Sequence, residues 1–256
     1  MTKFDRLIEI IETLRHPETG CPWDMRQTST SLIPNFIEEV YEAVEAIEEA
    51  DDEALCEELG DILLHVIFQI KLAEERKAFT VDKVLSKICD KLVNRHPHIF
   101  SDTVVKDEHQ VKQNWEKIKL KEKKEHRQSV LDGVPKNMPA LIQSQRIQEK
   151  AGHIGFDWDD TAPIYDKIIE EINEVKEAIA TSTKTEIQME IGDLLFACVN
   201  LARKLEIDAE TALRSSTEKF KTRFQQLEKV CNEQQINMSE AGLEKLDELW
   251  EYIKKL

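Results

Sequence analysis

Two distances between tryptophans constrain this chain more than any other feature. Trp23 and Trp158 lie 135 residues apart, and so do Trp115 and Trp250. The surrounding text repeats with them: Gly20-Cys-Pro-Trp-Asp24 answers to Gly155-Phe-Asp-Trp-Asp159, and Trp115-Glu-Lys-Ile-Lys119 to Trp250-Glu-Tyr-Ile-Lys254. Between these blocks Glu38-Glu39-Val-Tyr-Glu42 matches Glu170-Glu171-Ile-Asn-Glu174, and Glu58-Leu-Gly-Asp61 matches Glu190-Ile-Gly-Asp193, both at an offset of 132. Lys91 and Arg95 answer to Lys219 and Arg223 at an offset of 128. Small changes of offset between conserved blocks are what loop insertions produce, so two copies of one unit account for the 256 residues. The turn signals Asp132-Gly133-Val-Pro135 and Pro139 follow a charge-dense run from Lys117 to Arg127 and mark the boundary. The first copy is expected over 1–128 and the second over 136–256.

Each copy reads as all-α, a four-helix-bundle-like unit. Phe4, Leu7, Ile8, Ile11 and Leu14 form one helical stripe, and Ile33, Phe36, Ile37, Val40, Val44 and Ile47 a second. Leu55, Leu59, Ile62, Leu63, Val66, Ile67 and Ile70 form a third. With 51 acidic and 35 basic residues the net charge is −16, which argues against a nucleic-acid polymer as partner. No run approaches the ~20 apolar residues that span a bilayer, and no secretory signal is visible, so no membrane partner and a cytoplasmic location are expected. Five cysteines without a Cys-x-x-Cys pair read as reduced, mostly packed thiols.

The chemistry lies in the acidic blocks. Residues three apart on a helix differ by about 60° and stand side by side. Glu39 with Glu42, and Glu58 with Asp61, therefore flank the apolar stripes of successive helices. If those helices pack antiparallel, four carboxylates converge at one edge of the core. Glu171, Glu174, Glu190 and Asp193 repeat the set. Such groups repel, and desolvation adds to the penalty. A hard divalent cation, Mg²⁺ or Mn²⁺, removes the conflict, and carboxylate oxygens are its preferred ligands. A solvated acidic face is the usual alternative for one such block, but its repetition at the same offset favours the metal. Gly60 and Gly192, costing about 1 kcal/mol each in mid-helix, point to tight packing or a ligand close to the backbone.

The pattern argues against di-iron and P-loop chemistry. None of the seven histidines follows a glutamate by three positions, so the Glu-x-x-His pairs of di-iron bundles are missing, and there is no P-loop. His96-Pro-His98 has no counterpart in the second copy and reads as a loop; Gly152-His-Ile-Gly155 reads as a turn. Lys219 and Arg223, one helical turn apart, could grip phosphate oxygens, and Trp250 and Lys254 a base and a phosphate. Taken alone, the basic pair is more often a solvated face, and for Trp250 a buried core position is an equal alternative.

These blocks, with Arg95-His-Pro-His98 and Leu131-Asp-Gly-Val-Pro135, resemble the MazG nucleoside triphosphate pyrophosphohydrolases of the all-α NTP pyrophosphatase superfamily. The resemblance implies Mg²⁺-dependent hydrolysis of nucleoside triphosphates to monophosphate and pyrophosphate by a homodimer, with the second copy carrying the main activity. It implies Glu171, Glu174, Glu190 and Asp193 as catalytic metal ligands and Lys219, Arg223, Trp250 and Lys254 as nucleotide contacts. The first copy keeps matching candidates: Glu39, Glu42, Glu58 and Asp61 for metal, and Lys91, Arg95, Trp115 and Lys119 for nucleotide. A non-catalytic helical module that senses nucleotide or binds a protein is the rival reading.

Overall fold

A computed structural model describes residues 1–107, 110–111, 114–115, 118, 122 and 129–255. Eleven helices are bounded among the described residues, and no strand occurs there. None of these helices is long and apolar enough to cross a membrane. The chain divides by compactness into two units, Met1–Glu108 and His109–Leu256.

The first unit contains α1 (Lys3–Leu14), α2 (Pro22–Arg26), α3 (Ile33–Glu49), α4 (Asp52–Glu75), α5 (Val81–Arg95) and α6 (Pro97–Phe100). Thr2 and Asp5 start α1 with a reciprocal capping box, the Thr2 hydroxyl accepting from the Asp5 amide and the Asp5 carboxylate from the Thr2 amide. α3 and α4 form an antiparallel hairpin. Ala50 ends α3 in the left-handed region at φ 56°, and Asp51 caps α4 by accepting from the amides of Glu53 and Ala54 at 3.0 Å. α1 lies against α4, and Ile11, Leu32, Ile67, Phe68, Ile70 and Leu72 make the core, with Phe4, Leu7 and Ile8 packed on it. Each such side chain fully buried contributes roughly 1.5–3 kcal/mol.

The second unit contains α7 (Ala140–Gly152), α8 (Ala162–Thr181), α9 (Lys184–Lys204), α10 (Ala209–Glu233) and α11 (Gly242–Ile253). α8 and α9 repeat the hairpin, with a Thr183–Glu186 capping box opening α9. α7 packs on α9, while α10 and α11 enclose Leu227, Cys231, Leu249 and Ile253. Lys150 on α7 donates to the carbonyls of Val130 and Asp132, which holds the Leu131-Asp-Gly-Val-Pro135 turn against the helix. Gly155 sits at φ 91°, a conformation that favours glycine, so Gly152-His-Ile-Gly155 is a turn as expected.

Four expectations change. The α3 stripe is not core: Ile33, Ile37 and Val40 are exposed and Ile47 is 60% exposed, whereas Ala43 and Ala46 are the buried α3 residues. Leu59 and Leu63 of the third stripe are exposed as well. Period alone identifies an apolar face without saying what covers it. His96 closes α5 and opens the one-turn helix α6, so His98 is helical rather than in a loop. Cys56, Cys89 and Cys198 are exposed, and Cys231 is the thiol that packs in the core. A side chain added at Gly60 or Gly192 would meet nothing within 4 Å, so tight helix packing does not explain either glycine.

One polar clamp ties the first unit together. The buried Arg15 guanidinium forms a two-pronged pair with Glu75 of α4, at 2.6 and 2.7 Å, and also donates to the carbonyls of Asp24 and Gln27. Its face lies 5.3 Å from the Phe68 ring centroid. Arg15→Met leaves two carbonyls and a carboxylate without their donor. It should lower unfolding free energy by about 2–3 kcal/mol in a urea titration. An unchanged midpoint would show the clamp to be dispensable.

Candidate metal and nucleotide site

The second hairpin places the acidic residues of α8 and α9 at a common edge. Oxygen atoms of Glu171, Glu174 and Glu190 lie within 4.8 Å of one another. Glu171 and Glu174 share a face because they are one helical turn apart, and Glu190 meets them from α9. Glu171 is nearly buried, its side chain 6% exposed. One of its oxygens accepts from Lys167 at 2.8 Å; the other, Oε2, is buried without a partner among the described residues. A carboxylate oxygen in that position lacks both water and a donor, which is costly unless a cation occupies the space in front of it. Burial raises the pKa of Glu174, with Glu171 adding repulsion and Lys167 opposing it. The Glu171 and Glu170 carboxylates in turn raise the pKa of Lys167.

This edge opens into a cavity of about 750 Å³. Glu171, Asp193 and Lys167 line its acidic end. Phe156, Trp158, Ile164 and Phe196 supply apolar wall, and Gln148, Asn200 and Arg203 supply polar wall. Arg203 pairs two-pronged with Asp157 and donates to Asn200 Oδ1, and Lys204 donates to the Trp158 carbonyl, so the Gly-Phe-Asp-Trp turn is fixed on α9. Gln148 donates to the Phe196 carbonyl at 2.8 Å, and its Oε1 is buried without a partner among the described residues.

The structure therefore groups Glu171, Glu174 and Glu190 as one possible ligand set and places Asp193 on the wall of the same cavity. No residue of α10 or α11 lines that cavity. Lys219 is exposed and Arg223 half-buried on α10. Trp250 packs its indole 5.1 Å from the Phe220 ring centroid, and Lys254 pairs with Glu251. Lys167, Gln148, Asn200 and Arg203 were not singled out by motif. Lys167 was accessible in principle, since it precedes Glu171 by one helical turn; Gln148 faces the site because α7 packs across α9, which spacing does not reveal.

The first hairpin repeats the acidic edge with Glu39, Glu58 and Asp61, whose oxygens also lie within 4.8 Å. Glu42 is not one of that set but acts on it through its charge. Burial pushes the Glu39 pKa up to about 6, and Asp61, Glu42 and Glu58 add to the rise. Burial likewise raises Glu58, helped by Glu42, Asp61 and Glu57. Lys91 is exposed, Arg95 is buried and Trp115 half-buried. Lys119 lies outside the described residues, as do Lys117, Lys121, Lys123, Lys124, Glu125 and Arg127 of the charged run.

The elevated Glu39 pKa has a stability consequence of definite sign. The folded state holds this proton above the ordinary value of 4.5, so without metal the cluster loses stability as pH rises from 4.5 to about 6. Glu39→Gln removes that loss. In the presence of chelator it should melt about 1–3 °C above the parent protein at neutral pH, with the difference vanishing below pH 4.5. A lower melting point at neutral pH would mean that the charge is already compensated.

A sequence model described as the MazG nucleotide pyrophosphohydrolase domain matches residues 27–100 and again residues 162–227. The nucleoside triphosphate pyrophosphohydrolase/pyrophosphatase MazG of Thermotoga maritima is 45% identical over 251 residues, covering 98% of this chain and 95% of its own length. The nucleoside triphosphate pyrophosphohydrolase of Escherichia coli K12 is 41% identical over 260 residues, covering 100% of this chain and 98% of its own. An uncharacterized Bacillus subtilis protein, YabN, is 42% identical over 99% of this chain, which spans 52% of that protein. With the family domain matched twice and full-length relatives at this identity, the chain belongs to the MazG nucleotide pyrophosphohydrolase family.

Proposed function

We propose that this enzyme hydrolyses nucleoside triphosphates to the monophosphate and pyrophosphate at the α8–α9 cluster, with Mg²⁺ held by Glu171, Glu174, Glu190 and Asp193 and Mn²⁺ as a substitute. The observation that carries the reading is Glu171 Oε2: buried, without a partner among the described residues, and part of a triad of carboxylates whose Glu171 lines a cavity of about 750 Å³. Those donors are hard oxygens, which suit a hard divalent ion. Such an ion supplies positive charge and Lewis acidity to a triphosphate that four carboxylates would otherwise repel.

The chain's own groups do the rest. The cavity is of ligand size, and its aromatic wall suits a base, with Trp158 offering a stacking face and Gln148 Oε1 an acceptor for a base N–H. This leaves the triphosphate at the acidic end. Water adds to the α-phosphorus as the bond from that phosphorus to the bridging oxygen breaks, and pyrophosphate leaves. The proton of the water passes to a carboxylate of the cluster. Lys167 keeps Glu171 oriented through their 2.8 Å contact. Lys219, Arg223, Trp250 and Lys254 contact the nucleotide from outside this cavity, the two basic residues of α10 neutralising charge on the departing phosphates.

A homodimer belongs to the same proposal. Tyr165, Ile169 and Ile179 on α8, Leu195 on α9, and Leu213 and Phe220 on α10 are exposed, as are Ile33, Ile37 and Ile47 on α3. Apolar faces of this extent are what a second copy covers. A cytoplasmic nucleotide pool is the proposed setting.

Incubation of the full chain with each nucleoside triphosphate and Mg²⁺ should give monophosphate and pyrophosphate in equal amounts. Glu171→Gln and Glu190→Gln should each lower turnover at least about 100-fold. Diphosphate with orthophosphate as products would refute the assignment, and Mg²⁺-dependent nucleotide binding without turnover would favour a sensor.

A further inference from the structure

A side-chain amide can donate or accept, and a free one turns to suit its ligand. Two amides on the cavity wall are held in one orientation each. Gln148 on α7 is 7% exposed and donates its Nε2–H to the Phe196 carbonyl of α9 at 2.8 Å. Turning that amide over would set Oε1 against the carbonyl, acceptor against acceptor. What Gln148 has left for the cavity it lines is therefore Oε1, buried and without a partner among the described residues. Asn200, one turn beyond Phe196 on α9, is fixed the opposite way. Its Oδ1 accepts from Arg203 Nε at 3.0 Å and from Nη2 at 2.7 Å, and Arg203 is itself anchored by Asp157. With its oxygen taken, Asn200 has only amide N–H to offer the same cavity.

We propose that Gln148 and Asn200 are the specificity-determining residues of this site. They read the rim of a base as a polarity pair, a ligand N–H on Gln148 Oε1 and a neighbouring ligand acceptor on the Asn200 amide. The substrate class selected is a nucleoside triphosphate whose base carries an unsubstituted N–H beside a ring nitrogen or a carbonyl. Each natural base has such a pair: an amino group next to a ring nitrogen in adenine and cytosine, and a ring N–H next to a carbonyl in guanine, uracil and thymine. The aromatic wall of Phe156 and Trp158 stacks on any flat ring, so stacking alone does not discriminate. A buried acceptor that only an N–H satisfies is what turns away a ring without one. Recognition is then broad among the natural bases and strict against rings stripped of N–H.

This inference rests on the reading that the base enters this cavity while the triphosphate lies at the α8–α9 cluster, and its test separates the two claims. Steady-state kcat/KM is measured for the full chain with Mg²⁺ on ATP and on purine riboside triphosphate, the same ring system without the amino group and with no N–H at all. ATP should be preferred about 10–100-fold, a comparison that needs no altered protein. Removing in turn the two ring nitrogens that flank the amino group, in 1-deaza-ATP and 7-deaza-ATP, should cost about 10-fold for the one that faces Asn200 and little for the other. Gln148→Leu, checked for helicity by circular dichroism, should bring the ratio of ATP to purine riboside triphosphate close to one, whereas a purely structural role would lower both rates alike.

Equal turnover of ATP and the donor-free analogue by the parent protein overturns the inference, as does a preference that survives Gln148→Leu. Two deaza analogues that both match ATP remove Asn200 from it. If ATP is hydrolysed to monophosphate and pyrophosphate without discrimination, the inference fails and the proposed hydrolysis stands; if no nucleotide is hydrolysed, both fail.

Discussion

Like charges forced onto one edge of a helical hairpin set the terms for the rest of this molecule. Glu171 and Glu174 are held together by one turn of α8, and Glu190 is delivered by its antiparallel partner. Lys167 neutralises one oxygen of Glu171, and the other is buried without a partner among the described residues. In water these carboxylates would repel by about 1 kcal/mol per pair at 4 Å, and the penalty grows as solvent is excluded. An arrangement that is unfavourable in isolation, yet built twice on the same scaffold, makes sense as a receptor for positive charge.

The scaffold responds to that conflict by keeping its stabilising contacts elsewhere. In the first unit the α1–α4 core and the Arg15–Glu75 clamp lie along the far turns of α4, toward its C-terminal end, away from Glu58 and Asp61 near its start. In the second unit the Arg203–Asp157 pair is placed at the end of α9, where it fixes the turn that carries Phe156 and Trp158 to the cavity. The two clamps differ in chemistry of position but serve the same purpose, anchoring an irregular segment to the long helix of a hairpin. Around this common frame the copies diverge at the site itself: Lys167 against Asn35, Ala197 against His65.

The repeat, the all-α character and the acidic edge were legible because each depends on covalent spacing, which sequence records directly. The pairing of Glu39 with Glu58 follows from a hairpin whose turn, Ala50-Asp51, is two residues long. What was not legible depends on the third dimension. The α3 stripe reads as core by period, but its isoleucines are exposed and the small residues Ala43 and Ala46 are the buried positions of that helix. Gln148 enters the cavity from α7, a helix that no acidic block marks. Gly60 and Gly192 look like packing positions in sequence, and the space beside them is open.

The central claim is that a cation belongs among the carboxylates of α8 and α9. Crystals of the full chain soaked in Mn²⁺, with diffraction collected at the manganese absorption edge, test it without reference to turnover. The account predicts an anomalous peak bounded by Glu171, Glu174 and Glu190, on the side of the unpartnered Glu171 Oε2. Anomalous density elsewhere on the protein, with these three side chains turned outward into solvent, would contradict it.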